Sequence, residues 1–180
     1  FASGVFTLRD KADAEQLYLC TLTALQQLLG DDRTSHPEIT AHIDATLVDR
    51  YFSNFSVFQS LPDNWAIDQL FPIMPIHRLG ERPTRRGTIQ DITCDSDGVI
   101  DRFAGGRKGK PSLELHACAD GDAYILGIFL TGAYQEILGD LHNLFGDTNA
   151  VHITFNKKTG YMIDTVINGD ATWETLKYVQ

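Results

Sequence analysis

The chain has 180 residues, 43% apolar and 10% aromatic, enough to bury one sizeable core with a smaller satellite element beside it. Its formal charge of -9 and pI near 4.9 argue against nucleic acid or an anionic membrane as partners, because such surfaces select clustered Lys and Arg. No window reaches the apolar length of a membrane span, no signal-peptide pattern opens the chain, and Cys20, Cys94 and Cys118 lack CxxC spacing. The expectation is a soluble cytoplasmic protein with free thiols.

The chain begins at Phe1 within what reads as structured sequence, as an excised fragment would. Ala14, Leu17, Tyr18, Leu22, Leu25, Leu28 and Leu29 recur at helical spacing from Asp10, and Gly30 follows as a stop. Ser35 and Glu38 form a capping-box pattern around Pro37, leading Ile39, Ile43 and Leu47 into a second helix that ends near Arg50. Residues 1–50 therefore read as a helical hairpin whose two stripes form a mutual core.

Tyr51 to Trp65 is aromatic-rich without helical period and reads as an ordered loop or short strand. From Leu70 onward, short apolar runs between turn residues are typical of an all-β barrel or sandwich: Leu70 to Leu79, Gly87 to Thr93, Val99 to Phe103, Leu113 to Ala117, Tyr124 to Leu130, Ala150 to Phe155 and Tyr161 to Ile167. Pro72 and Pro75 put the first run at an edge or bulge, and Lys157 to Gly160 makes a hairpin turn. One helix interrupts the series at Ala133 to Phe145, and another starts near Asp170. The fold class is mainly β with helices (α+β): a β-domain over residues 51–180 behind the helical hairpin. The Arg82 to Arg86 and Arg107 to Lys110 stretches read as solvated turns.

Several groups bear chemistry. In Cys94-Asp95-Ser96-Asp97-Gly98, a thiol beside two carboxylates between strands suits a proton donor; the plain alternative is a hairpin turn with a buried Cys. Gly132-Ala133-Tyr134 stands where a strand becomes a helix, with amides and a hydroxyl suited to an anion. Glu136, Asp140, His142 and Asp147 read as a solvated acidic face rather than a cation site. His116, Cys118, Asp120 and Asp122 match no zinc spacing, and Gly105 to Lys110 lacks the Walker pattern; both read as strand, turn and loop residues, and no metal site is assigned.

Tyr51 to Trp65, Ile67 to Pro72, Asp91 to Gly98 and Gly132 to Asn149 resemble, in order, signature stretches of the biosynthetic arginine decarboxylase family. The hairpin resembles the insertion that such enzymes carry between their main domains. The resemblance implies the alanine-racemase-like (fold type III) decarboxylases: an N-terminal TIM barrel holds pyridoxal phosphate on a lysine, and a C-terminal β-domain completes the site across a dimer interface. Only the second part is expected here, inactive alone. Cys94 then corresponds to the catalytic cysteine, Asp95, with Asp97 beside it, to the acid that meets the guanidinium of arginine, and Tyr134 to the tyrosine that bonds the cofactor phosphate. Mg2+ is a further cofactor that the resemblance admits. Related ornithine decarboxylases carry an aromatic residue eight positions after that tyrosine, where this chain has His142 followed by Asn143. The implied reaction is arginine to agmatine and carbon dioxide in polyamine synthesis. A non-catalytic dimerisation module, or a decarboxylase for ornithine or diaminopimelate, is the alternative.

Overall fold

Thr7 opens the first helix. Its Oγ1 accepts from the Asp10 N–H at 3.2 Å, and the Asp10 carboxylate accepts in return from the Thr7 N–H at 2.8 Å. This reciprocal cap starts α1 (Leu8–Leu29), which stops at Gly30 with φ 46. The computed structural model describes every residue except 1, 31, 33, 106–108 and 120, so Asp120 and the centre of the Gly105 to Lys110 loop lie outside the described residues.

The second helix departs from the sequence reading at both ends. Its N-cap is His36 with no side-chain bond, because the Ser35 hydroxyl donates to Asp32 instead. It ends at Thr46 (α2, Pro37–Thr46), and Asp49–Phe52 is already a strand, β1. The mutual core is also smaller than expected. Only Leu22 and Ile43 are buried, while Leu17 and Leu28 are 69% and 82% exposed, so most of the stripe stays open. Tyr18 Oη and His42 Nε2, 2.7 Å apart, tie the pair at its surface.

Tyr51 to Trp65, read as loop or strand, holds two short helices after β1: α3 (Val57–Ser60), capped by the Ser56 hydroxyl, and α4 (Pro62–Ile67), with Pro in its first turn. Stretches of four and six residues are too short for a helical period to register. Strands then follow near the expected places: β2 (Ile73–Pro75), β3 (Arg85–Gln90), β4 (Val99–Ile100), β5 (Leu113–Leu115) and β6 (Leu126–Ile128), then β7 (Ala150–Asn156) and β8 (Gly160–Ile167). Arg85 and Arg86, read as a turn, are the first residues of β3. Between β6 and β7, the expected helix to Phe145 stops early as α5 (Ala133–Leu138), followed by a 3-10 turn at His142–Leu144. Glu136 and Asp140 therefore share no helix face. After β8 come α6 (Thr172–Leu176) and a 3-10 turn at Lys177–Val179.

The strands form three separate sheets and, among the described residues, no closed barrel. In the largest, β3 pairs with β1 in parallel on one side and with β4 and β5 antiparallel on the other. Among the described residues, β2 pairs with β6 alone and β7 with β8 alone. Val57, Leu61, Phe71, Ile73, Ile89, Ile100 and Phe103 make the core between α3 and these sheets. The barrel reading assumed that every apolar run finds a neighbour within the chain. Here the β7–β8 ribbon keeps Ile153, Phe155, Tyr161 and Ile163 57–78% exposed. Total accessible surface is 13392 Å² for 20.1 kDa. A compact monomer of that mass exposes about 8,700 Å². Exposed apolar side chains such as Leu28, Phe155 and Tyr161 contribute to the excess.

Candidate active site

Asp91 is the anchor of the loop between β3 and β4. Its buried carboxylate accepts from the Val57 N–H (2.9 Å), the Thr93 N–H (2.9 Å) and the Thr93 hydroxyl (2.7 Å). A Cβ at Gly98 would meet Asp91 Oδ1 at 2.1 Å, so the returning arm of the loop must be glycine. Held at both ends, the loop projects Cys94, Asp95, Ser96 and Asp97 outward, all exposed. The Asp97 N–H donates to Asp95 Oδ1 at 3.0 Å and orients that carboxylate.

A second segment comes up against this loop. The Gln135 side chain is buried and pairs twice with Asp63, donating to its carboxylate at 2.6 Å and accepting from its N–H at 3.2 Å. That pins α5 to the start of α4 and turns Tyr134 outward, 73% exposed. After α5 the chain reverses through Asn143 and Leu144, both with left-handed φ (56 and 59), a conformation Asn tolerates well. The reversal brings the Asn143 amide to donate to Cys94 Sγ at 3.2 Å and places His142 Nε2 3.5 Å from Asp95 Oδ2. The His142 ring lies over Phe58 at 4.1 Å, and Phe58 meets the edge of Trp65 at 5.2 Å.

The structure thus brings Cys94 and Asp95 together with His142 and Asn143, whose role the sequence left open. Asp97 looks elsewhere. It lines a hollow of about 300 Å³ with Trp65, Asp68, Asp101 and Arg102, where Arg102 pairs with Asp68 at 3.0 Å. Phe58 and Asp91 were missed as site residues. For Asp91 a signal existed: Asp followed two residues later by Thr is an Asx-turn spacing.

The His116 group is a different construction. Nε2 faces the Glu81 carbonyl at 3.0 Å and must donate, so Nδ1 accepts from the Tyr124 hydroxyl at 2.8 Å, and Tyr124 accepts from the His116 N–H at 2.9 Å. Both ring nitrogens are engaged, as an ordinary structural residue requires. Burial raises the Tyr124 phenol and the Cys118 thiol, and pushes the Tyr51 phenol up to about 12, while the Arg78 guanidinium holds Glu81 below its usual range. Among the described residues, no three His, Cys, Asp or Glu side chains converge to hold a metal, and no helix is long and apolar enough to cross a membrane.

Comparison with known proteins gives this geometry its setting. Residues 1–44 match a family described as the arginine decarboxylase helical bundle domain. The whole chain is 59% identical to the biosynthetic arginine decarboxylase of Trichlorobacter lovleyi and 57% identical to that of Geotalea uraniireducens, covering 28% of each. The crystal structure of the biosynthetic arginine decarboxylase SpeA from Campylobacter jejuni aligns with a TM-score of 0.70 at 39% identity, over 99% of this chain and 27% of that one. The chain therefore spans little more than a quarter of the proteins it matches. Along its full length, this chain is homologous to a portion of the biosynthetic arginine decarboxylases.

Proposed function

We propose that this chain is the C-terminal portion of a pyridoxal-phosphate-dependent arginine decarboxylase, with residues 1–50 belonging to an inserted helical bundle and 51–180 to the β-domain. The observation that carries the reading is identity of 59% over all 180 residues to a protein of that name. The open stripe of α1 supports it, since two helices of a larger bundle bury little between themselves.

When bound to a lysine outside this chain, pyridoxal phosphate supplies the electron sink for loss of carbon dioxide from arginine. The residues present fit that group at one point. Tyr134 has an exposed hydroxyl with no hydrogen bond among the described residues, free to donate to a phosphate. The remainder of the cofactor site belongs elsewhere in the enzyme, and among the described residues no three His, Cys, Asp or Glu side chains converge for Mg2+. Asp95 receives the substrate guanidinium through charge-assisted hydrogen bonds, its carboxylate already aimed by the Asp97 N–H and by His142. Cys94 gives a proton to the carbon that has lost its carboxylate; the S–H bond breaks and its electron pair stays on sulfur. Asn143 fixes the sulfur from the other side, so the S–H proton points away from that amide. In a dimer, this loop enters the partner subunit's site.

The test is the full-length enzyme that contains this chain, purified with pyridoxal phosphate and given arginine, ornithine or diaminopimelate. Agmatine from arginine at a kcat/KM far above the other two is expected. Preference for another amino acid overturns the substrate assignment, and no decarboxylation at all turns the chain into the non-catalytic module.

A further inference from the structure

Three consecutive residues of α3 each hold a different part of the candidate site. The Val57 N–H, at the free N-terminal end of the turn, goes to the Asp91 carboxylate beneath the Cys94 loop. The side chains of Phe58 and Gln59 leave the turn about 100° apart and so reach two further neighbours. Phe58 lies under the His142 ring. Gln59 faces the segment that carries His142 and Asn143, and meets it at both ends. At the near end, a Cβ at Gly139 would lie 2.0 Å from the Gln59 carbonyl oxygen, so the chain leaves α5 against Gln59 with no room for a side chain. At the far end, Gln59 Nε2 donates to Asp147 Oδ1 at 2.5 Å. Asp147 is fixed from behind as well, its N–H donating to Asp170 Oδ2 and its carbonyl accepting from the Asp170 N–H, both at 2.9 Å.

We propose that Gln59 is a positioning residue for the reaction, a role that rests on the decarboxylase reading: through Asp147 it sets where the reversal presents His142 to Asp95 and Asn143 to Cys94. Gln59 is only 7% exposed, and among the described residues its Oε1 has no hydrogen-bond partner. A buried acceptor without a donor costs stability, which an apolar side chain of similar size would avoid. What the amide supplies in return is the N–H to Asp147. The reversal needs such an outside tie, since Asn143 and Leu144 hold left-handed φ of 56 and 59, a conformation that non-glycine residues keep only where their surroundings impose it. Cys94 and Asp95 stand on the loop that Asp91 anchors, so Gln59 governs the groups that face this loop and not the loop itself.

The test uses the full-length enzyme that contains this chain. Gln59→Glu sets a second carboxylate against Asp147, and kcat for arginine should fall about 10-fold while KM changes by less than about 3-fold, because Asp95 keeps its place. Gln59→Glu combined with Asp147→Asn exchanges the two groups and restores a hydrogen bond of opposite direction, so kcat should return to within about 3-fold of the parent. Amide hydrogen exchange over residues 139–147, read by mass spectrometry, should run about 10-fold faster in Gln59→Glu and return in the exchanged pair. If Gln59→Glu does not fold, Gln59→Met drops the same bond without adding charge and should show the same changes in kcat and exchange. An unchanged kcat, a loss carried by KM instead, or a loss that the exchanged pair fails to recover overturns the proposal. If the parent enzyme leaves arginine untouched, the decarboxylase reading has failed, and exchange alone decides on the tie: rates over 139–147 that ignore Gln59 overturn it.

Discussion

Asn143 and Cys94 stand 49 residues apart in sequence, and the Asn143 side-chain amide donates to the Cys94 sulfur at 3.2 Å. The contact depends on a left-handed backbone at Asn143, on the end of α5 at Leu138 and on the Asp91 anchor beneath the Cys94 loop. The pair is a meeting of two independently fixed segments. Its energetic content is modest in water and grows wherever water is excluded from it.

Replacing Asn143 with Asp keeps a side chain that tolerates this backbone and substitutes an acceptor for the donor. In the full-length enzyme, Asn143→Asp is expected to lower kcat about 10-fold with a smaller change in KM for arginine. In the isolated chain, alkylation of Cys94 should move the side-chain amide resonance of Asn143 and leave that of Asn149, which is bonded to Gly169, in place. An Asn143 resonance indifferent to the state of Cys94 contradicts the contact in solution.

Asp91 and Gly98 should behave as one unit. Asp91→Asn leaves one of its backbone donors facing an amide N–H, and a loss of about 2 kcal/mol in urea unfolding is expected. Gly98→Ala forces the same carboxylate aside, so the double variant should lose clearly less than the sum of the two. Additive losses show that Gly98 has some other reason to be glycine.

Strand positions from β3 onward were legible because each is a short apolar run between turn residues, and the Lys157 to Gly160 turn between β7 and β8 was legible from its glycine. α3 and α4 were not, being shorter than the period that reveals a helix. Within the candidate site, Cys94 and Asp95 could be singled out from residue type and resemblance, which also put Tyr134 forward as a cofactor contact. His142 and Asn143 could not, because their role comes from a chain reversal at positive φ that Asn permits but does not announce. No closed barrel forms among the described residues, because strand-like runs report the propensity of each segment, whereas closure depends on how the strands pair with one another.

Alkaline pH should expose Tyr51. Its hydroxyl donates to the His116 carbonyl at 2.9 Å, and burial raises its pKa from 10.0 to about 12. Between those values the unfolded chain has lost the proton and the folded chain keeps it. The stabilisation from Tyr51 is therefore complete below pH 10, declines from pH 10 to 12, and is gone above. Tyr51→Phe should cost about 1 kcal/mol at neutral pH and flatten the decline above pH 10 in denaturant titrations. Tyr124, also raised by burial, should keep a part of it. An unchanged alkaline decline in Tyr51→Phe removes this phenol as its source.

Asp95 and Asp97 offer the sharpest test of the substrate reading, because the loop gives them different surroundings. Asp95 has one oxygen on the Asp97 N–H at 3.0 Å and the other 3.5 Å from His142, whereas the Asp97 carboxylate borders the hollow with Asp101 and Arg102. Asp95→Asn removes the charge that meets a guanidinium, and kcat/KM for arginine is expected to fall by about 2–4 kcal/mol in transition-state binding while cofactor affinity holds. Asp97→Asn keeps the N–H that orients Asp95, so its loss should be less than about 3-fold. His142→Phe preserves stacking on Phe58 and drops the contact with Asp95, which should place it between the two. Equal losses at Asp95 and Asp97 would put the Trp65 hollow inside the arginine site, and an unaffected Asp95→Asn enzyme would remove the Cys94 loop from substrate recognition altogether.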